Sequence, residues 1–145
     1  MRPHEGIQQN MRAIIAGDRN FTDRTVLDKV MEFAGTLAAS NYLAWGVTEV
    51  VCGEASGVDT LGKEWALEHG IPVTSFPANW TEHGKAAGPI RNQQMGDYAD
   101  MLIVIWNPAV SKGSANMFDY ARKLGLPVVG YNYTQGSIHL FNINL

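Results

Sequence analysis

Cysteine is nearly absent from this chain: Cys52 stands alone among 145 residues. A single thiol excludes an internal disulfide and any zinc site built on paired cysteines. It makes a reducing, cytoplasmic compartment the expected home, with Cys52 a buried thiol at a strand end. Long apolar runs are missing as well. None approaches the roughly 18 residues of a membrane span, so no membrane partner is expected. The first ten residues, MRPHEGIQQN, contain no hydrophobic stretch of the secretory kind. They are expected to form a disordered extension ahead of a single domain over 11–133. Charged residues make up only 17% of the chain and leave a net charge of −3 at pH 7. A protein built to grip nucleic acid phosphates would be basic, so a nucleic acid partner is disfavoured. His4, His69, His83 and His139 share no ligand spacing, so neither metal nor cofactor is called for. No G-x-S-x-G nucleophile motif occurs.

What the chain does have is punctuation. Short β-branched runs at 12–17 (RAIIAG), 47–53 (VTEVVCG), 71–77 (IPVTSFP), 101–106 (MLIVIW) and 127–132 (PVVGYN) each stop at or near Gly, Pro or Asn. They read as strands buried on both faces, as in a parallel sheet. Helical periodicity lies between them. Val26, Leu27, Val30, Met31, Ala34 and Leu37 make one stripe over 23–38, with Thr22 or Asp23 as its cap. Val58, Leu61 and Trp65 recur over 57–69, a helix is expected over 89–98 from Pro89, and Met117, Phe118, Ala121 and Leu124 share a face over 114–124. Strand and helix alternate five times, which predicts an α/β, Rossmann-like doubly wound domain with a mainly parallel five-stranded sheet and helices on both faces. The tail, 134–145, alternates Phe141, Ile143 and Leu145 and is expected to be an edge strand or an oligomer contact.

In such a sheet, ligands gather beyond the carboxyl ends of the strands, where helix N-termini favour anions. Four junctions fall there. The first, GDRNF, offers Gly17 for a turn, Asp18, and Arg19 as a fork for a phosphate or carboxylate or as a solvated surface arginine. The second, GEASGVDT, offers Gly53, Glu54, Ser56, Gly57, Asp59 and Thr60. Its glycines would let backbone approach a ligand, and Asp59 would either cap the next helix or accept from a ribose or a base. The third, NWTEHGKAAGPIRNQQM, offers Lys85, Arg91 and Asn92, with Trp80 to stack on a base or to pack in a core or interface. A cation in a first helical turn, where Arg91 is expected, opposes the helix dipole unless it meets an anion. The fourth, NPAVSKGSANM, offers Lys112, Gly113, Ser114 and Asn116, with Ser114 the alternative N-cap. This is neither the G-x-x-x-x-G-K-[ST] phosphate loop nor G-x-G-x-x-G.

In this order the junctions resemble those of small bacterial and phage proteins of the DUF2493 type, also called the YspA or cpYpsA-related family. That family lies within the SLOG superfamily, alongside the LOG phosphoribohydrolases and DprA. The resemblance runs from about Arg12 to Asn132 and is carried by GDRNF, by GxxSGVDxLGxEWA at 53–66 and by HGKAAGPIRNQQM at 83–95. It implies a nucleotide-type small-molecule ligand, including NAD- and ADP-ribose-derived compounds, and self-association as a homo-oligomer, to which Trp45, Trp65 and Trp80 could contribute. The departures concern acids. The family's second loop often reads G-G-x-x-G-x-D, whereas Glu54 replaces its second glycine; a carboxylate there must turn from a phosphate or meet a sugar hydroxyl. LOG enzymes carry P-G-G-x-G-T-x-x-E at the fourth junction. Gly113 and Ser114 fit G-T, but Met117 stands at the catalytic glutamate, while Arg91 matches the LOG arginine. Methionine cannot stabilise the positive charge that builds on ribose during N-glycosidic cleavage. The expected function is therefore binding: sensing, sequestering or carrying a nucleotide. Turnover of LOG type and DprA-like binding of single-stranded DNA are the alternatives.

Overall fold

The computed structural model describes residues 11–39 and 46–143. The expected N-terminal extension, His4, Trp45 and Leu145 lie outside them. Strands β1 (Arg12–Gly17), β2 (Glu49–Cys52), β3 (Val73–Ser75), β4 (Met101–Trp106) and β5 (Val128–Asn132) form the expected parallel set. A sixth, β6 (Ser137–Phe141), pairs antiparallel with β5, so the sheet has one strand more than the five expected. The order is β3-β2-β1-β4-β5-β6. The chain works outward from β1 to β3, returns to β4 beside β1, and works outward the other way. That reversal leaves an open crevice past the carboxyl ends of β1 and β4.

Four longer helices cover the sheet: α1 (Arg24–Ala39), α2 (Val58–Glu68), α4 (Ala87–Tyr98) and α5 (Lys112–Lys123). A single-turn helix, α3 (Trp80–His83), and a 3-10 turn (Gly84–Ala86) precede α4; the sequence reading placed only loop there. Strand side chains alternate between the two faces. Ala13, Ile15, Val50, Ile103 and Ile105 pack toward α1 and α2. Ile14, Ala16, Val51, Leu102 and Val104 pack toward α4 and α5. All ten are buried, and burying each Ile, Leu or Val contributes about 1.5–3 kcal/mol. In α1 the stripe Leu27, Val30, Met31, Ala34 and Leu37 is buried as its spacing predicts. Asp23 caps that helix: its carboxylate accepts from the Thr25 amide at 3.0 Å. The short edge strand β3 and the antiparallel β6 close the two sides of the sheet, both economical ways to end one.

Candidate functional site

The crevice is a cleft of about 520 Å³ lined by the end of β1, the start of α2, α3, α4 and the β4–α5 turn. Residues from all four junctions meet in it: Gly17, Asp18 and Arg19; Asp59; Arg91 and Asn92; and Gly113, Ser114 and Asn116. Gly53, Glu54, Ser56, Gly57, Thr60 and Lys85 do not line it.

Asp18 turns into the rim as a hub. Its carboxylate accepts from the Asn107 amide at 3.0 Å, from the Tyr133 hydroxyl at 2.5 Å and from the Ser111 hydroxyl. The Tyr133 hydroxyl is pushed up to about 12, first by that bond to Asp18 and then by burial. Arg19 follows, exposed on the cleft, and among the described residues its guanidinium has no hydrogen-bond partner.

At the second junction the bareness has an internal cause. Gly57 has φ of 74°, and a Cβ there would run into the backbone of Asp18 and Arg19. A Cβ at Gly53 would stand 2.5 Å from Nη1 of Arg91. The glycines thus admit the protein's own groups, where the sequence suggested a ligand. Asp59, only 6% exposed, reaches back from α2, and its Oδ2 accepts from the amides of Gly53 at 3.2 Å and Ala55 at 3.3 Å. Those donors, expected to serve a ligand, are occupied. Ser56 donates to the Arg19 carbonyl and Thr60 to the Ala55 carbonyl, each at 3.1 Å, so both fasten the loop. Glu54, at φ of 64°, turns outward to Lys63 at 3.0 Å.

At the third junction α4 starts two residues before Pro89, which places Arg91 fifth in the helix rather than in its first turn. Its guanidinium donates through Nη1 to the Gly53 carbonyl and through Nε to Oδ1 of Asn92 at 3.1 Å. Burial pulls the Arg91 guanidinium below its ordinary range, opposed by the neighbouring Asp59. Burial likewise raises Asp59 to about 6, more than the Ala55 amide, Arg91 and the Gly53 amide lower it. Asn92 is buried and clamps two helices: Nδ2 donates to the Gly113 carbonyl at 3.3 Å and to Oδ1 of Asn116 at 2.9 Å. Lys85 stands exposed on the 3-10 turn. Trp80, on α3, does line the cleft.

At the fourth junction the cap position belongs to Ser111, not Ser114, and the Ser111 hydroxyl is diverted to Asp18. The first helical bond of α5 runs from the Ala115 amide to the Ser111 carbonyl at 2.9 Å. Among the described residues, the amides of Lys112, Gly113 and Ser114 therefore have no acceptor. Met117, one turn on and buried, forms part of the wall. The cleft is lined by three cationic side chains, Arg19, Arg91 and Lys112, and by two carboxylates, Asp18 and Asp59, so with the open helix terminus its balance is positive. Tyr133, Ser111 and Asn107 escaped the sequence reading. Tyr133 directly follows the carboxyl end of β5, and that position is the signal that could have found it.

Comparison with known proteins gives three results. The model of the YspA, cpYpsA-related SLOG family (YAcAr) matches residues 11–83. The Gene 61 protein of Mycobacterium phage D29 is 32% identical over 125 residues, covering 83% of this chain and 95% of that protein. The X-ray structure of DNA processing protein A (DprA) from Streptococcus pneumoniae superposes with a TM-score of 0.58 at 15% identity, over 85% of this chain and 50% of that one. This chain thus spans half the length of the DprA chain, and the likeness speaks to the fold alone.

Proposed function

Because this chain belongs to the YspA, cpYpsA-related SLOG family, we propose that it binds a phosphorylated nucleoside, or an NAD- or ADP-ribose-derived compound, in the rim cleft, and that it senses, sequesters or carries that ligand. The observation that supports this most is the open start of α5: among the described residues three amides lack acceptors, Lys112 stands beside them, and Arg19, without a hydrogen-bond partner there, lines the same cleft. A phosphate accepts from such amides and is favoured by the helix dipole and by cationic side chains. Oδ1 of Asp59 has no partner among the described residues, whereas Oδ2 has two. Oδ1 is the acceptor for a ribose hydroxyl.

Turnover is the weaker reading. Met117 occupies the wall where a LOG enzyme needs a carboxylate. Native mass spectrometry and calorimetry against AMP, NAD, ADP-ribose, cyclic nucleotides and unphosphorylated adenosine test the proposal. At least one phosphorylated compound binds well above adenosine, and Arg19→Ala weakens it about tenfold, as loss of one charge-assisted bond does. Adenosine binding as tightly as AMP, or no member of the panel binding, overturns the reading. The same spectra report the assembly state.

A further inference from the structure

Large apolar side chains exposed among the described residues are Leu67, Trp80, Val110, Leu124 and Ile138. Only Trp80 and Val110, at 55% and 69% exposure, line the cleft. Trp80 is also held in place. Asn79 caps α3, accepting from the Glu82 amide at 3.0 Å and donating to the Glu82 carboxylate at 3.1 Å, so the backbone that bears the indole is pinned although α3 is a single turn. Cη2 of the indole lies 3.5 Å from where a Cβ at Gly88 would stand. The ring edge rests on the start of α4, most of the side chain faces solvent, and among the described residues Nε1 has no hydrogen-bond partner.

An indole carried on a capped helical turn and exposed on a cleft whose balance of charge is cationic has the form of a stacking platform. Resting on the reading of the cleft as a nucleotide site, we infer that Trp80, with Val110 as a second apolar contact, is the specificity-determining element for an aromatic base. The cationic α5 end takes the phosphate whatever the rest of the ligand is. Trp80 makes the cleft select nucleotides over sugar phosphates of equal charge.

The test measures binding of AMP and of ribose 5-phosphate to the full chain as wild type, Trp80→Phe and Trp80→Ala. Wild type prefers AMP by roughly ten- to hundredfold, the range that base–aromatic stacking supplies. Trp80→Phe retains most of that preference. Trp80→Ala loses it through weaker AMP binding while its affinity for ribose 5-phosphate is unchanged. The inference is overturned if Trp80→Ala keeps the preference, if wild type shows none, or if the substitution alters only the assembly mass, which would make Trp80 a contact between copies. If wild type binds neither probe nor any other phosphorylated nucleoside, the nucleotide reading itself falls. The two failures are therefore distinct. Because Trp80 is mostly exposed, both variants keep the wild-type melting temperature within about 2 °C.

Discussion

Asp59 shows most clearly how a residue can serve the site at a cost to the fold. Its carboxyl titrates near 6, against 3.8 for a free aspartate, chiefly because burial disfavours the charge. A folded value above the unfolded one means that this group's stabilising contribution is complete below about 3.8 and is lost as pH rises through about 6. The magnitude is roughly 3 kcal/mol at neutral pH. Urea unfolding between pH 4 and 7.5 should show wild type losing stability relative to Asp59→Asn as pH rises; parallel curves would refute the account. Glycine positions separate two kinds of crowding. A Cβ at Gly17 would strike the Ile105 carbonyl, which is backbone, whereas a Cβ at Gly53 would meet the end of the Arg91 side chain. Gly17→Ala is expected to cost about 3 kcal/mol and Gly53→Ala about 1 kcal/mol, read from denaturation midpoints. Gly53→Ala should also break the bond from Arg91 to the Gly53 carbonyl, because it displaces the guanidinium. From the sequence, Gly53 and Asp59 were recognisable as belonging to a junction. That they serve each other and Arg91 was not, because Arg91 donates to Gly53 across 38 positions.

Among the elements, α5 is defined by a cap that is spent elsewhere. Ser111 sits where a serine would satisfy helix amides, yet it bonds Asp18, and the helix start stays open. The sequence placed the start at Ser114 because local spacing favours a cap there. The competing acceptor, Asp18, lies 93 positions away and leaves no local trace. The same hub ties the turn after β5 to β1 through Tyr133. Tyr133→Phe removes one bond to a charged acceptor and should cost about 1.5–3 kcal/mol. Hydrogen exchange should also quicken at the Asn107 amide, which shares that carboxylate oxygen. Unchanged protection there would show that Tyr133 is not part of the brace. Strands β1 and β4 were legible to the residue because continuous apolar runs have sharp ends. Strand β6 was legible only as an option, since alternation in a tail does not say what it pairs with.

For the whole molecule, the fold class followed from alternation, and the meeting of four junctions followed from the rule that parallel strands end on one rim. What a rim rule cannot give is which donors remain available once the protein has satisfied its own acceptors. Binding should register globally. A ligand held only by the folded state at a hundred times its Kd adds about 2.7 kcal/mol, which for a domain of this size raises the melting temperature by roughly 5–11 °C. Thermal scans with AMP check this, and no rise at saturating ligand would show that binding does not require the folded cleft.

Asp18 draws together chain positions 18, 107, 111 and 133. During synthesis the first of these leaves the ribosome long before the last. A nascent chain can therefore assemble β1 to β3 early, yet the brace across the rim closes only once Tyr133 has emerged, so the cleft takes its shape late in the growth of the polypeptide.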